Sequence, residues 1–153
     1  MKNYEIRLLS PQFYIDYNVA KYPEMEDKEF RPFLVLLVKI ENNTFAIPFR
    51  TNIKHKYCYK FSNSNRNTLT STALDYSKAV IVNDTRYIGD SATIDQKEFV
   101  ELSSKSIFII NKFKNFVLKY KKIMLEPAKY PYEFDALSKY STLKYFHNEL
   151  GLE

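Results

Sequence analysis

Two glycines, Gly89 and Gly151, are all that this chain of 153 residues contains. A loop that cradles nucleotide phosphates needs several glycines in a short window, because the backbone must approach the phosphate closely and adopt conformations that a Cβ forbids. Kinase, P-loop and dinucleotide-binding folds are therefore excluded. Cys58 is the sole cysteine, and the two histidines, His55 and His147, stand far apart, so no zinc cluster suggests itself. A metal site would have to be assembled from carboxylates such as Asp75, Asp84, Asp90 and Asp95. Their spacing proposes none, and neither a metal nor a cofactor is expected.

The length suits one domain spanning residues 1–153, and at 45% hydrophobic residues the chain can bury a core. The longest apolar runs, Phe33 to Val38 and Ile107 to Ile110, fall far short of the roughly 20 residues that cross a bilayer. The N-terminus alternates like a strand and lacks the apolar stretch of a signal peptide. A lone cysteine forms no intramolecular disulfide, and the expected location is the cytoplasm, away from any membrane. Lysine and arginine number 23 against 18 acidic residues, a formal charge of +5. That balance favours a polyanionic partner, because neutralised phosphates release counterions. With 13 tyrosines and 12 phenylalanines there are rings on which unpaired bases can stack, although most are expected to fill the core.

Along the chain, residues 4–9 read as a strand, and Ser10-Pro11 opens a short helix to about Ala20. A charged loop, Tyr22 to Glu29, leads to Phe33–Glu41, which is β-branched and apolar enough for a central strand. Asn42-Asn43 suits a hairpin turn, and Thr44–Phe49 returns beside it, with Pro48 at a bulge or strand end. Tyr57–Phe61 alternates as a further strand, and Ser62–Thr72 is a polar loop. Tyr76–Val82 and Thr85–Ile88 read as two more strands, followed by a short helix over Ile94–Leu102 and a long one over Lys105–Leu125. In the long helix Ile109, Phe113, Phe116, Val117, Tyr120 and Met124 share one face, and Lys112, Asn115, Lys119 and Lys122 lie opposite. This lysine face is expected to be solvated first and a phosphate track second. Glu126-Pro127 ends the helix, and a last helix over Thr142–Leu150 closes at Gly151, with His147 structural. The expected fold is α+β: a strongly twisted antiparallel sheet or small barrel, with helices mainly in the C-terminal half.

Chemistry concentrates in Ile47-Pro-Phe-Arg-Thr-Asn-Ile-Lys-His-Lys-Tyr57, where a strand delivers Arg50, Thr51, Asn52, Lys54, His55 and Lys56 into one connection. RNA cleavage without a metal requires aligning a 2′-hydroxyl with the neighbouring phosphate, neutralising the pentacovalent oxygens and moving two protons. Arginine binds two phosphate oxygens at once, threonine and asparagine hold phosphate or ribose, and histidine or lysine moves protons. Arg31, just before the central strand, reaches the same place if the hairpin forms. Which residue acts as base stays open. A solvated basic loop without chemistry fits the composition equally well.

The segment Phe45-Ala-Ile-Pro-Phe-Arg-Thr-Asn-Ile-Lys-His-Lys-Tyr-Cys-Tyr-Lys-Phe61, supported by Ala73-Leu-Asp-Tyr-Ser-Lys-Ala-Val-Ile-Val82 and Tyr87-Ile-Gly89, resembles the toxins of type III toxin–antitoxin systems. Within that ToxN/AbiQ family it is most similar to the CptN/TenpN branch, over residues 30–90. The resemblance implies a twisted sheet like that of the MazF/Kid toxins with added helices. It also implies a metal-independent endoribonuclease that leaves a 2′,3′-cyclic phosphate. The implied partners are cellular or phage RNA and a small repeat RNA antitoxin, folded as a pseudoknot, which the toxin trims and which then blocks it. Toxin and RNA would close into a ring-like assembly serving growth arrest and abortive phage defence. On this resemblance the family's basic residue falls on Arg31, where ToxN-like members carry lysine. Its two hydroxyl residues fall on Arg50 and Thr51, and only Thr51 keeps the hydroxyl, so Arg50 would clamp phosphate. Catalytic candidates are thus Arg31, Thr51, Arg50 and His55, and Asn52, Lys54, Lys56, Tyr57 and Lys78 are expected to contact RNA. The rivals are a basic RNA-binding module that cuts nothing and a DNA-directed, gyrase-poisoning toxin on a similar sheet.

Overall fold

A computed structural model of the protein describes residues 3–25, 33–62, 64–65 and 72–153. The strands are β1 (Tyr4–Leu9), β2 (Leu34–Ile40), β3 (Asn43–Thr51), β4 (Cys58–Lys60), β5 (Thr72–Asp75), β6 (Val80–Ile81) and β7 (Ile88–Ser91). The helices are α1 (Pro11–Asp16), α2 (Gln96–Leu125) and α3 (Pro131–Tyr140). The strands form one antiparallel sheet in the order β4-β5-β3-β2-β1-β7, with β6 also on β3, and the fold is α+β with two of its three helices after the last strand. Among the described residues no helix is long and apolar enough to cross a membrane.

The hairpin forms as its sequence predicts, displaced by one residue. Its turn is Glu41-Asn42, with Glu41 in the left-handed region at φ 55°, and Asn43 already pairs with Ile40. Pairing of Val35 with Pro48, Leu36 with Ile47, Leu37 with Ala46 and Val38 with Phe45 sorts the side chains between two faces. Phe45, with Ile47 and Leu36, faces α2, where its ring meets Phe113 edge-on at 5.1 Å. Val35, Ala46 and Pro48 face the opposite way, against Leu9, Phe13 and Met25. With both faces covered, the run reads as continuously apolar rather than alternating. Pro48 lies inside β3, not at its end. The edge of β3 away from β2 is shared between β6 at Phe45–Ala46 and β5 at Phe49–Thr51. A residue in the gap between two partners is not asked for a ladder hydrogen bond on that side, so proline is tolerated there.

Two expected strands are 3-10 turns in part, for the same reason. The Asp75 carboxylate accepts from the Ser77 backbone N–H and turns the chain at Tyr76–Lys78, so the expected strand Tyr76–Val82 shrinks to Val80–Ile81. The Asp84 carboxylate likewise accepts from Arg86 N–H, curling Thr85–Tyr87 and starting β7 at Ile88. In both, a short acidic side chain substitutes for a ladder partner. Gly89 then lies so near β1 that a Cβ would stand 2.8 Å from the Leu8 carbonyl oxygen. Much of the expected loop Ser62–Thr72 lies outside the described residues, as do the last residues of the charged loop from Tyr22.

The two expected C-terminal helices run together as α2, with a break in helical geometry at Lys105, one residue after the Ser103-Ser104 pair. Asp95 caps the start by accepting from Lys97 and Glu98 N–H. Ile109, Phe113, Phe116, Val117 and Tyr120 are buried as their spacing requires, and Lys112, Asn115, Lys119 and Lys122 are exposed. Helix α3, opened by Pro131, packs where only an aromatic tail was legible. The expected last helix is instead a 3-10 turn over Thr142–Phe146 followed by further turns, the last of which holds Gly151 at φ 76°. His147 is structural: the Tyr120 hydroxyl lies 2.7 Å from its Nε2, and burial holds the imidazole pKa below its ordinary value. The unfolded chain therefore binds the proton more readily, and this stabilisation, present above an unfolded pKa of about 6.5, is lost as pH falls through it. Thermal melts should show the midpoint falling more between about pH 7 and pH 5 in the wild type than in His147→Gln. Equal slopes would remove His147 from the pH response.

Candidate functional site

Strand alternation places Arg50 on the face of β3 that carries Ala46 and Pro48, and sets Thr51 toward the other face. Asn52 follows in the left-handed region at φ 60°, which asparagine tolerates, and swings the chain out of the sheet into the 53–57 connection. Cys58 then enters β4 opposite Asp75 of β5. The outcome is that Arg50 and His55, from one connection, meet Asp75 of another strand at the open end of β3.

Asp75 is the hub. Its side chain is 1% exposed, and Arg50 Nη1 lies 3.2 Å from Oδ2 while His55 Nε2 lies 3.2 Å from Oδ1. The Ser77 hydroxyl donates to Oδ1 at 2.6 Å and the Ser77 N–H at 3.1 Å. His55 Nε2 is also 3.3 Å from Ser77 Oγ. On its far side the imidazole accepts the Tyr57 N–H at Nδ1, 3.0 Å away. With Nδ1 accepting, the neutral ring carries its proton on Nε2 and directs it at Asp75. The histidine side chain is nonetheless 38% exposed and the arginine 19%, so both reach solvent from a buried anchor.

The anchor is braced from behind. Ser141 Oγ donates to the Ser77 carbonyl at 2.8 Å, and Thr142 Oγ1 to the Ala79 carbonyl at 2.6 Å. Lys78 Nζ donates to the carbonyls of Tyr140 at 2.9 Å and Glu24 at 3.3 Å, tying the turn to two other segments. Arg50 and Lys78 also line a small pocket of about 30 Å³ with Glu24 and Thr142. These contacts fix the backbone that presents Asp75, and place Lys78 as a tether beside the cluster.

Of the residues singled out from sequence, Arg50 and His55 converge. Thr51 is exposed at the strand end, paired in register with Thr72, and Asn52, Lys54 and Lys56 are exposed along the connection that follows. Tyr57 is half-buried, its ring 5.7 Å from Phe116 and 5.9 Å from His55. Arg31 lies outside the described residues. Asp75 and Ser77 were legible only as a carboxylate and a hydroxyl within a supporting stretch. The signal that identifies them is the Asp-x-Ser spacing, which makes a side-chain-to-backbone turn. Among the described residues no three histidine, cysteine or acidic side chains gather as a metal site would need. Compared with models of protein families, with curated proteins and with solved structures, the chain finds no match.

Proposed function

We propose that this protein is a metal-independent endoribonuclease, the toxin of a type III toxin–antitoxin system of the ToxN/AbiQ kind, on a MazF/Kid-like sheet. The observation that carries the reading is the convergence of an arginine and a histidine, Arg50 and His55, on one buried carboxylate, Asp75. In the reaction the 2′-oxygen bonds to phosphorus and the bond to the 5′-oxygen breaks, leaving a 2′,3′-cyclic phosphate. The guanidinium of Arg50 neutralises the pentacovalent phosphate oxygens. His55 takes the 2′-hydroxyl proton at Nδ1 once the Tyr57 N–H gives way, and Asp75 stabilises the imidazolium through Nε2–H. The departing 5′-oxygen takes a proton from solvent, to which the imidazolium returns its own. Thr51, Asn52 and Lys54 border the cluster and hold the strand. The natural partner is a small pseudoknot RNA that the toxin trims and that then occupies this site in a ring-like complex in the cytoplasm.

One observation favours the second reading, a binding module that cuts nothing: both His55 nitrogens are engaged internally in the resting structure. The test is incubation of the purified protein with a long RNA in EDTA, with mapping of the ends. Cleavage to 2′,3′-cyclic phosphates, absent on 2′-deoxy substrate, is expected, and Arg50→Lys should lower the rate by about 10²–10³. A lysine keeps the charge beside Asp75 but loses the two-pronged fork. Intact RNA from folded, antitoxin-free protein leaves the binding module as the better account, and cleavage indifferent to the 2′-hydroxyl would instead favour a DNA-directed toxin.

A further inference from the structure

Beside His55 the surface opens into a cleft of about 280 Å³ between the 56–57 segment and α2. Its floor is aromatic, with Tyr57 against Phe116, and three lysines stand around it: Lys56, Lys112 and Lys119. Lys112, Asn115, Phe116 and Lys119 are spaced i, i+3, i+4 and i+7, so these lysines flank the buried stripe rather than lying opposite Phe116. One side of α2 thus supplies a ring, an amide and two cations together. Lys56 Nζ lies 5.5 Å from the Tyr57 ring centre. Lys112 is held by a 2.9 Å hydrogen bond to the Cys58 carbonyl, and Lys119 sits 4.2 Å over the Tyr130 ring. These contacts position the two ammonium groups without neutralising them. Among the described residues lining the cleft, Glu133 is the one that opposes them, three positive charges against one negative.

We propose that this cleft holds one unpaired nucleotide of the RNA strand that crosses the Arg50–His55–Asp75 cluster. Its base lies on Tyr57 and its phosphate faces the lysines. The inference rests on the RNA reading above and extends it from the β3 connection onto α2. The chemistry is that of single-strand recognition: a π-face for any base, cations tracking the backbone, and too little room for a duplex. Glu133 repels phosphate from its own end and accepts from base N–H donors, which orients the nucleotide with its base toward that rim. The cleft adjoins the cluster at Tyr57, whose N–H donates to His55 Nδ1 and whose ring centre lies 5.9 Å from that of the imidazole. The lysine face of α2 is thereby assigned to RNA rather than to solvent alone.

The test is fluorescence anisotropy with a labelled single-stranded 2′-O-methyl oligoribonucleotide, which the 2′-oxygen chemistry cannot cut, and with the same strand annealed to its complement. Tyr57→Leu is expected to weaken single-strand binding about tenfold. Lys112→Gln combined with Lys119→Gln should reduce the slope of log affinity against log salt by about 1.4, at about 0.7 per single-strand phosphate. The duplex should bind more weakly than the single strand. An unchanged salt slope in the double variant, or equal binding of single strand and duplex, overturns the proposal. If Tyr57→Leu does not fold, the lysine pair, both exposed, decides it alone. Failure of the nuclease reading shows separately, as intact RNA in EDTA, and leaves these binding outcomes standing.

Discussion

Asp75→Ala is expected to cost about 3–5 kcal/mol of folding stability, the loss typical of breaking a buried ion pair from one side. The carboxylate is 1% exposed and takes contacts from Arg50, His55 and both donors of Ser77. Its removal takes one charge partner from a largely buried guanidinium. It also takes the acceptor from the N–H that makes the Tyr76–Lys78 turn. That turn and Ala79 just after it carry the carbonyls that Ser141 and Thr142 bond, so the damage spreads to the C-terminal segment. Asp75→Asn keeps an oxygen for Ser77 and should lose less. Urea denaturation of the three proteins gives the comparison. A loss under about 1 kcal/mol for the alanine variant would mean that the cluster behaves as a solvated surface pair.

The same residue shows where the sequence is legible and where it is not. Hydrophobic periodicity suffices for the hairpin and for α2, because Leu34–Ile40 and the Phe113–Tyr120 stripe bury what their spacing says they bury. Even the break at Lys105 was visible, as a gap between two helical patterns over the Ser103-Ser104 pair. Two of the failures sit at Asp75 and Asp84, inside stretches apolar or β-branched enough to read as strand. One carboxylate accepting a backbone N–H two residues on outweighs that propensity. Periodicity carries no trace of it, since the deciding hydrogen bond is local and polar. The site follows the same division. Arg50 and His55 stood out because they lie in one connection, but what joins them comes from another strand, which pairing of Arg50 with Ala73 and of Cys58 with Asp75 brings near.

His55→Ala is expected to lower RNA cleavage by about 10²–10⁴, the span typical of losing a general acid or base. On the proposed reading added imidazole should restore part of the rate, because the missing group would be a proton carrier and solvent can reach its place. The decisive comparison is His55→Gln. A glutamine amide oxygen can accept the Tyr57 N–H, and its amino group can donate to Asp75, so it preserves the contacts that order the 53–57 connection. It cannot take a proton from a 2′-hydroxyl. If His55 works by chemistry, the glutamine variant falls as far as the alanine variant and binds uncleavable RNA as the wild type does. If the ring only anchors the connection, glutamine retains most of the activity and imidazole restores nothing. The second outcome would pass proton transfer to another side chain and leave Asp75 as the organiser of a phosphate-binding surface. The first would make the Asp75–His55 pair the catalytic unit, with the resting bond to Tyr57 as the contact that must open before each turnover.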